Sequence, residues 1–221
     1  VSDVTASQIG GMNGQQNVGE AWRSLTGWLQ SNAPVSFASL LPPADEQAIE
    51  AADTQLKHHL GFELPDQLAA LWRLCGGVNH QEIEHDEEGE VGSGAFLPGG
   101  VIMSPVAALR PRMPDHAGKD WWQGAPVVPW LTGDESGPES GHWVGAIGVG
   151  RWGLDSLPGV GAEPAFPSIA AYLDAVLRTV TEGPANAMGP DVPGLVWGCL
   201  IWENPEYPLL DEALPHWTPI H

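Results

Sequence analysis

The stretch LLPPADEQAIEAADTQLKHHLGFELPDQLAALWRLCGG, Leu40 to Gly77, reads as two helices joined by a short Gly-Phe-Glu-Leu-Pro hinge. In the first helix, Ile49, Ala52, Leu56 and Leu60 recur at three- and four-residue spacing, which places them on one face. Pro42 and Pro43 block any helix upstream, and Asp45, Glu46 and Glu50 lie near the positive end of the helix dipole. Gly61 is placed to end that helix in the left-handed conformation that glycine adopts at little cost. Pro65 restarts the chain at a first helical position. Leu68, Leu71, Trp72 and Cys75 then form a second apolar stripe, closed by Gly76 and Gly77.

Outward from this pair, Trp22, Leu25, Trp28 and Leu29 give an earlier helix over Glu20–Gln30. Residues 1–19 are small and polar, so they read as a flexible N-terminal tail. Downstream, AFLPGGVIMS (Ala95–Ser104) reads as a strand bent at Pro98-Gly99-Gly100, and Pro105–Leu109 as a short helix. Ala125–Leu131 and His142–Gly150 read as two strands separated by the turn GDESGPESG. Residues 151–164 read as loop, Phe166–Val180 as the last strong helix and Leu195–Trp202 as a final strand. Helices early, strands in the middle and a helix late point to an α+β class, with helices packed against a mostly antiparallel sheet. The strands lie too close together for regular helical crossovers between them. Residues 20–183 thus form one domain, and 184–221 a proline-rich acidic extension packed on it.

The charge is lopsided: 28 Asp and Glu against 8 Lys and Arg give a formal net charge of -20 over 221 residues. Such a chain repels nucleic acid phosphates and anionic lipid and attracts basic proteins. No Lys or Arg follows Arg178. Direct nucleic acid binding is therefore not expected, nor is a membrane partner, since no apolar run reaches transmembrane length. Without the layout of a signal peptide, cytoplasmic residence is expected. Of the two cysteines, Cys75 sits on an apolar helix face and reads as a small buried hydrophobe.

The densest charge follows the helix pair. From Glu82, six carboxylates fall in nine residues: Glu82, Glu84, Asp86, Glu87, Glu88 and Glu90. This run reads as a solvated loop and as the leading partner-binding surface. His80, Glu82, Glu84 and His85 supply metal-type donors, but no zinc or calcium spacing is present, so no metal is assigned. His58 and His59 fit a helix end, where imidazolium complements the dipole. No nucleophile elbow, Walker motif or dinucleotide fingerprint occurs, so neither a cofactor nor catalysis is expected. Of the eleven tryptophans, Trp22, Trp28 and Trp72 lie on apolar helix faces. Trp121, Trp122, Trp143, Trp152 and Trp217 do not follow a periodicity. For these the reading is core packing first, protein-interface anchors second and sugar platforms third; Trp121 and Trp122, with the turn around Asp134 and Glu135, are the second candidate surface.

The order AWRSLTGWL, LLPPADEQAIEAADTQL, LGFELPDQLAALWRLCGG, FLPGG, VVPWL and FPSIAAYLDAVL resembles the SMI1/KNR4 family of the SUKH superfamily over about Glu20–Val180. Leu60-Gly61, Leu64-Pro65, Leu68, Leu71 and Gly76-Gly77 carry the most specific part. The segment VGAIGVGRWGLDSLPGVG, with Asp155 its only acid, departs from the family's Asp-rich third strand. The resemblance implies an α+β fold without known catalytic residues. It also implies a bacterial immunity protein that binds and neutralises a cognate toxin, often one acting on nucleic acid, or a regulatory scaffold as in fungal members.

Overall fold

A computed structural model describes residues 6–85, 88–110, 125–133, 140–152, 163–183, 189–206, 208 and 210–221, the side chains of 6–17 and 211 excepted. In chain order the helices and strands are α1 (Ala6–Asn32), α2 (Pro34–Ala38), α3 (Glu46–Leu60), α4 (Asp66–Trp72), β1 (Glu82–Glu84), β2 (Glu90–Gly92), β3 (Val101–Ile102), α5 (Pro105–Leu109), β4 (Val127–Thr132), β5 (Gly141–Gly145), β6 (Gly148–Trp152), α6 (Ile169–Glu182), β7 (Val192–Val196), β8 (Cys199–Glu203) and β9 (Thr218–Pro219). A 3-10 helix spans Asp211–His216. The fold is α+β. Its three small sheets run β1-β2, β3-β4-β5-β6 and β8-β7-β9, and every strand pairing among the described residues is antiparallel.

The helix pair forms for the local reasons its sequence suggests. Asp45 accepts a hydrogen bond from the Gln47 amide at the start of α3, and Gly61 ends it at φ 75°. Ile49, Ala52 and Leu56 are buried along one face. The Asp53 carboxylate accepts from the Leu64 amide at 2.9 Å and so ties the hinge back to α3. Pro65 is the N-cap of α4, with Asp66 as first helical residue, one position later than expected. α4 stops at Trp72, and Cys75 is buried beyond its end.

Several segments differ from the sequence expectation. α1 begins at Ala6 rather than Glu20, so part of the stretch read as a tail is helical backbone; once Val18, Trp22, Leu25 and Leu29 are packed, each further helical residue adds a hydrogen bond without a new nucleus. The acidic run is a two-stranded ribbon, β1-β2, and not a loop. His142–Gly150 is split by Ala146-Ile147 into β5 and β6, and β6 takes in Arg151 and Trp152 from the stretch expected to be loop. Leu195–Trp202 is likewise a hairpin, turning at Trp197-Gly198 with both residues at positive φ, 47° and 78°. The tail segment returns as β9 alongside β7.

The core lies between the helices and the four-stranded sheet. α6 is capped by the Ser168 hydroxyl and joined to α4 by Gln67, whose side-chain oxygen accepts from the Ile169 amide at 2.7 Å. Its stripe, Ile169, Tyr172, Leu173, Val176 and Val180, is buried. A register shift between Pro129 and Leu131 makes Trp130 a bulge in β4, and its indole packs edge-on to the Tyr172 ring at 5.4 Å. Three ring donors then converge on one backbone segment. The Trp72 indole N–H donates to the Met103 carbonyl at 2.9 Å, the Tyr172 hydroxyl to Pro98 at 2.6 Å, and the Trp202 indole N–H to Phe96 at 2.8 Å. Phe96, Pro98 and Met103 are buried, so each carbonyl needs such a partner.

Replacing Tyr172 with Phe removes the 2.6 Å bond and leaves the Pro98 carbonyl unpaired. The expected loss is roughly 1–3 kcal/mol in a urea midpoint measurement, with unchanged far-ultraviolet circular dichroism.

Candidate functional site

The acidic ribbon is built on a polar base and an apolar inner face. At its base the Gln81 amide donates to the Ser93 hydroxyl at 3.0 Å, and the Ser93 amide to the Gln81 carbonyl at 2.8 Å. At its tip the His85 amide donates to the Gly89 carbonyl and the Glu88 amide to the His85 carbonyl, at 3.0 and 2.7 Å. The register pairs Glu82 with Gly92, Ile83 with Val91, and Glu84 with Glu90. Alternation along the strands sends Ile83 and Val91 inward and the glutamates outward. Val91 belongs to a small second core with Val196, Cys199, Ile201 and Ala213, and Ile83 packs against it. The ribbon therefore stands on the C-terminal sheet.

Its outer face concentrates charge. Carboxylate oxygens of Glu82, Glu84 and Glu90 all lie within 4.8 Å of one another, and all three side chains are exposed. Among the described residues none of the three has an ion-pair partner. Glu84 faces Glu90 directly across the ladder. Two like charges in that position repel by roughly 0.2–1 kcal/mol. Such a surface attracts an ammonium, a guanidinium or a metal cation, and these three carboxylates are the only metal-compatible group of donors among the described residues. His80 and His85, the nitrogen donors the sequence suggested, are not part of that group. The Nδ1 of His80 accepts from the Gly94 amide at 3.2 Å, and His85 lies against Trp197.

Of the residues read as a partner surface, the structure brings Glu82, Glu84 and Glu90 together, with Glu88 at the tip, 3.7 Å from the His216 Nε2. Asp86, Glu87, Trp121, Trp122, Asp134 and Glu135 lie outside the described residues. Trp143 and Trp152 are buried in a small cluster with Ala125 and Val127, and Trp217 packs against the second core. His58 and His59 sit exposed at the end of α3, edge to face at 4.5 Å.

The burial of His142 gave no sequence signal. His142 is 1% exposed in β5; its Nε2 accepts from the Arg151 Nε at 3.3 Å, while its Nδ1 has no partner among the described residues. Burial, reinforced by the Arg151 cation, pushes the imidazole down to about 3. Gly99, at φ 115°, lies so close that a side chain there would collide with the ring. Both cysteines are buried, and burial raises both thiols, Cys199 to about 11, so each stays protonated at neutral pH.

No known family model matches the chain, and no curated protein matches it.

His142 sets a pH dependence. Above pH 6.5 it is neutral in both the folded and the unfolded chain. Below that value the unfolded chain takes up a proton that the folded chain refuses until about pH 3. Stability should therefore fall by about 1.4 kcal/mol per pH unit over this window. Urea midpoints measured from pH 7.5 to 4.5 check this, and His142→Gln should flatten the profile.

Proposed function

We propose that this chain is a non-catalytic protein-binding domain whose acidic ribbon docks a basic partner. The more specific reading is a cytoplasmic immunity protein of the SMI1/KNR4 type that neutralises a cationic, nucleic-acid-targeting toxin. The observation that carries the proposal is the cluster of Glu82, Glu84 and Glu90, three mutually repelling carboxylates held on the outer face of a ribbon whose inner face is anchored. A cluster that weakens its own strand pairing is relieved by a cationic partner, whose Lys or Arg groups supply the missing counter-charge.

The net charge of -20 adds a long-range component. It raises the local concentration of a basic protein and accelerates encounter, and both effects weaken as salt screens the field. A toxin that acts on nucleic acid carries a basic cleft, and a row of carboxylates offers that cleft the charge of a phosphate backbone. The family resemblance supports the same reading through Leu60-Gly61, Leu64-Pro65 and Gly76-Gly77. Among the described residues no helix is long and apolar enough to cross a membrane.

Affinity capture at low salt from the source cell is the test. The immobilised chain should retain a basic protein and release it as salt rises. The combined variant Glu82→Gln, Glu84→Gln, Glu90→Gln should slow association by roughly tenfold or more while leaving the folded state as stable or slightly more so. Retention that is indifferent to salt and to this variant would overturn the reading. Retention of several unrelated proteins, none of them a toxin, would favour a regulatory scaffold.

A further inference from the structure

The two edges of the acidic ribbon are not equivalent. At the base the Ser93 amide donates to the Gln81 carbonyl at 2.8 Å, and at the tip the His85 amide donates to the Gly89 carbonyl at 3.0 Å. In an antiparallel ladder, pairs that exchange hydrogen bonds alternate with pairs that do not. Gln81 with Ser93, Ile83 with Val91 and His85 with Gly89 are therefore the bonded pairs, and Glu82 and Glu84 fall between them. The backbone N–H and C=O of Glu82 and Glu84 consequently point away from β2, along the outer edge of β1. No described residue bonds to any of these four groups, and both glutamates are exposed.

The other strand of the ribbon is taken up by the body of the molecule. β2 packs against β8 and the 3-10 helix. Gly89, just before β2, lies so close to the 3-10 helix that a Cβ there would meet the Ala213 amide nitrogen at 2.9 Å. Ile83 and Val91 hold the inner face on the second core. β1 is thus an edge strand fixed in place with its ladder groups turned to solvent. An extended chain adds to such an edge as a further strand.

Register decides what kind of chain fits. In an antiparallel addition, the incoming residues bonded to Glu82 and Glu84 put their side chains on the glutamates' own face. The residue between them turns to the other face, beside the half-buried Ile83. The first two positions therefore meet the carboxylates of Glu82, Glu84 and Glu90, gathered within 4.8 Å of one another, and the middle one meets an aliphatic side chain. A second copy of β1 added in this way would set glutamate against glutamate. The charges that admit a basic strand thus oppose pairing of the chain with itself.

We propose that the outer edge of β1 is a strand-addition site for an extended segment of a basic protein, with lysine or arginine on either side of an apolar residue. The assignment rests on the reading that the ribbon docks a basic partner, and it adds the conformation and the side-chain alternation of the docked segment. Backbone bonds at Glu82 and Glu84 hold that segment in register, and the carboxylates select its sequence.

The test is a low-salt titration of the full chain, followed by nuclear magnetic resonance, with the peptide acetyl-Thr-Lys-Val-Lys-Val-Lys-Thr-amide. At saturation, exchange of the Glu82 and Glu84 amides should slow roughly two- to tenfold, while the Ile83 amide, already bonded to β2, changes less. A peptide of the same composition with its lysines adjacent, acetyl-Thr-Val-Lys-Lys-Lys-Val-Thr-amide, should bind roughly two- to thirtyfold more weakly. N-methylation of the lysine amides in the alternating peptide should weaken binding and remove the slowing. Equal binding of the two sequences, or shifted glutamate carboxyl carbons without slowed exchange at Glu82 and Glu84, would overturn strand addition and leave the docking of a basic partner standing. Carboxyl carbons of Glu82, Glu84 and Glu90 that respond to neither peptide would overturn both. Slowing that appears without peptide as the chain is concentrated would assign the edge to a second copy and overturn the assignment to a basic strand.

Discussion

Three hydrogen bonds hold this molecule's layers in register: those from Trp72, Tyr172 and Trp202 to the carbonyls of Met103, Pro98 and Phe96. The segment they grip leads from the ribbon into the four-stranded sheet; Phe96, Pro98 and Met103 are buried in it, and it turns at Gly99 and Gly100, both at positive φ. An indole or a phenol suits this task because one end fills apolar space while the other donates. The donors come from α4, α6 and β8, so the helix pair, the last helix and the C-terminal sheet are all referenced to the same eight residues. The turn at Gly99 in turn packs on His142, which links this clamp to the buried imidazole and its dependence on pH.

The ribbon follows from that arrangement. Its downstream end is fixed at Phe96, and its inner residues Ile83 and Val91 have a small core of their own to bury into. Burial of the Val91 side chain alone contributes on the order of 1.5–3 kcal/mol, with a smaller share from the half-buried Ile83, more than the repulsion across Glu84 and Glu90 removes. The outer face can therefore carry charges that oppose one another without the strands separating. In the proposed binding mode, a cationic partner supplies the counter-charge this cluster lacks.

Local punctuation was the legible part of the sequence. Asp45 and Gly61 mark the ends of α3 through interactions with their immediate neighbours, and the α6 stripe is visible because its period is helical. The β4-β5 pairing was legible, but the β5-β6 and β7-β8 hairpins were not, since Ala146-Ile147 and Trp197-Gly198 lack the Asn-Gly or Asp-Gly turn signature and each pair of strands reads as one run. In the acidic run, charge density masked the Glu-Ile-Glu alternation that makes β1 a strand. The sequence did place Glu82, Glu84 and Glu90 in one candidate surface, but not their convergence, which depends on pairing with β2. The burial of His142 and the stacking of His85 and His216 on Trp197 depend on residues far apart in the chain, and no local pattern announces them.

The central claim is that a basic partner sits on the ribbon's carboxylates, and zero-length carbodiimide cross-linking reads that contact directly by joining carboxylates to lysines in contact. With the partner bound, peptide mapping should find its lysines coupled to Glu82, Glu84 or Glu90, and excess salt added beforehand should abolish the products. Coupling confined to carboxylates elsewhere, such as Asp45 and Glu46 at the start of α3, would contradict the account.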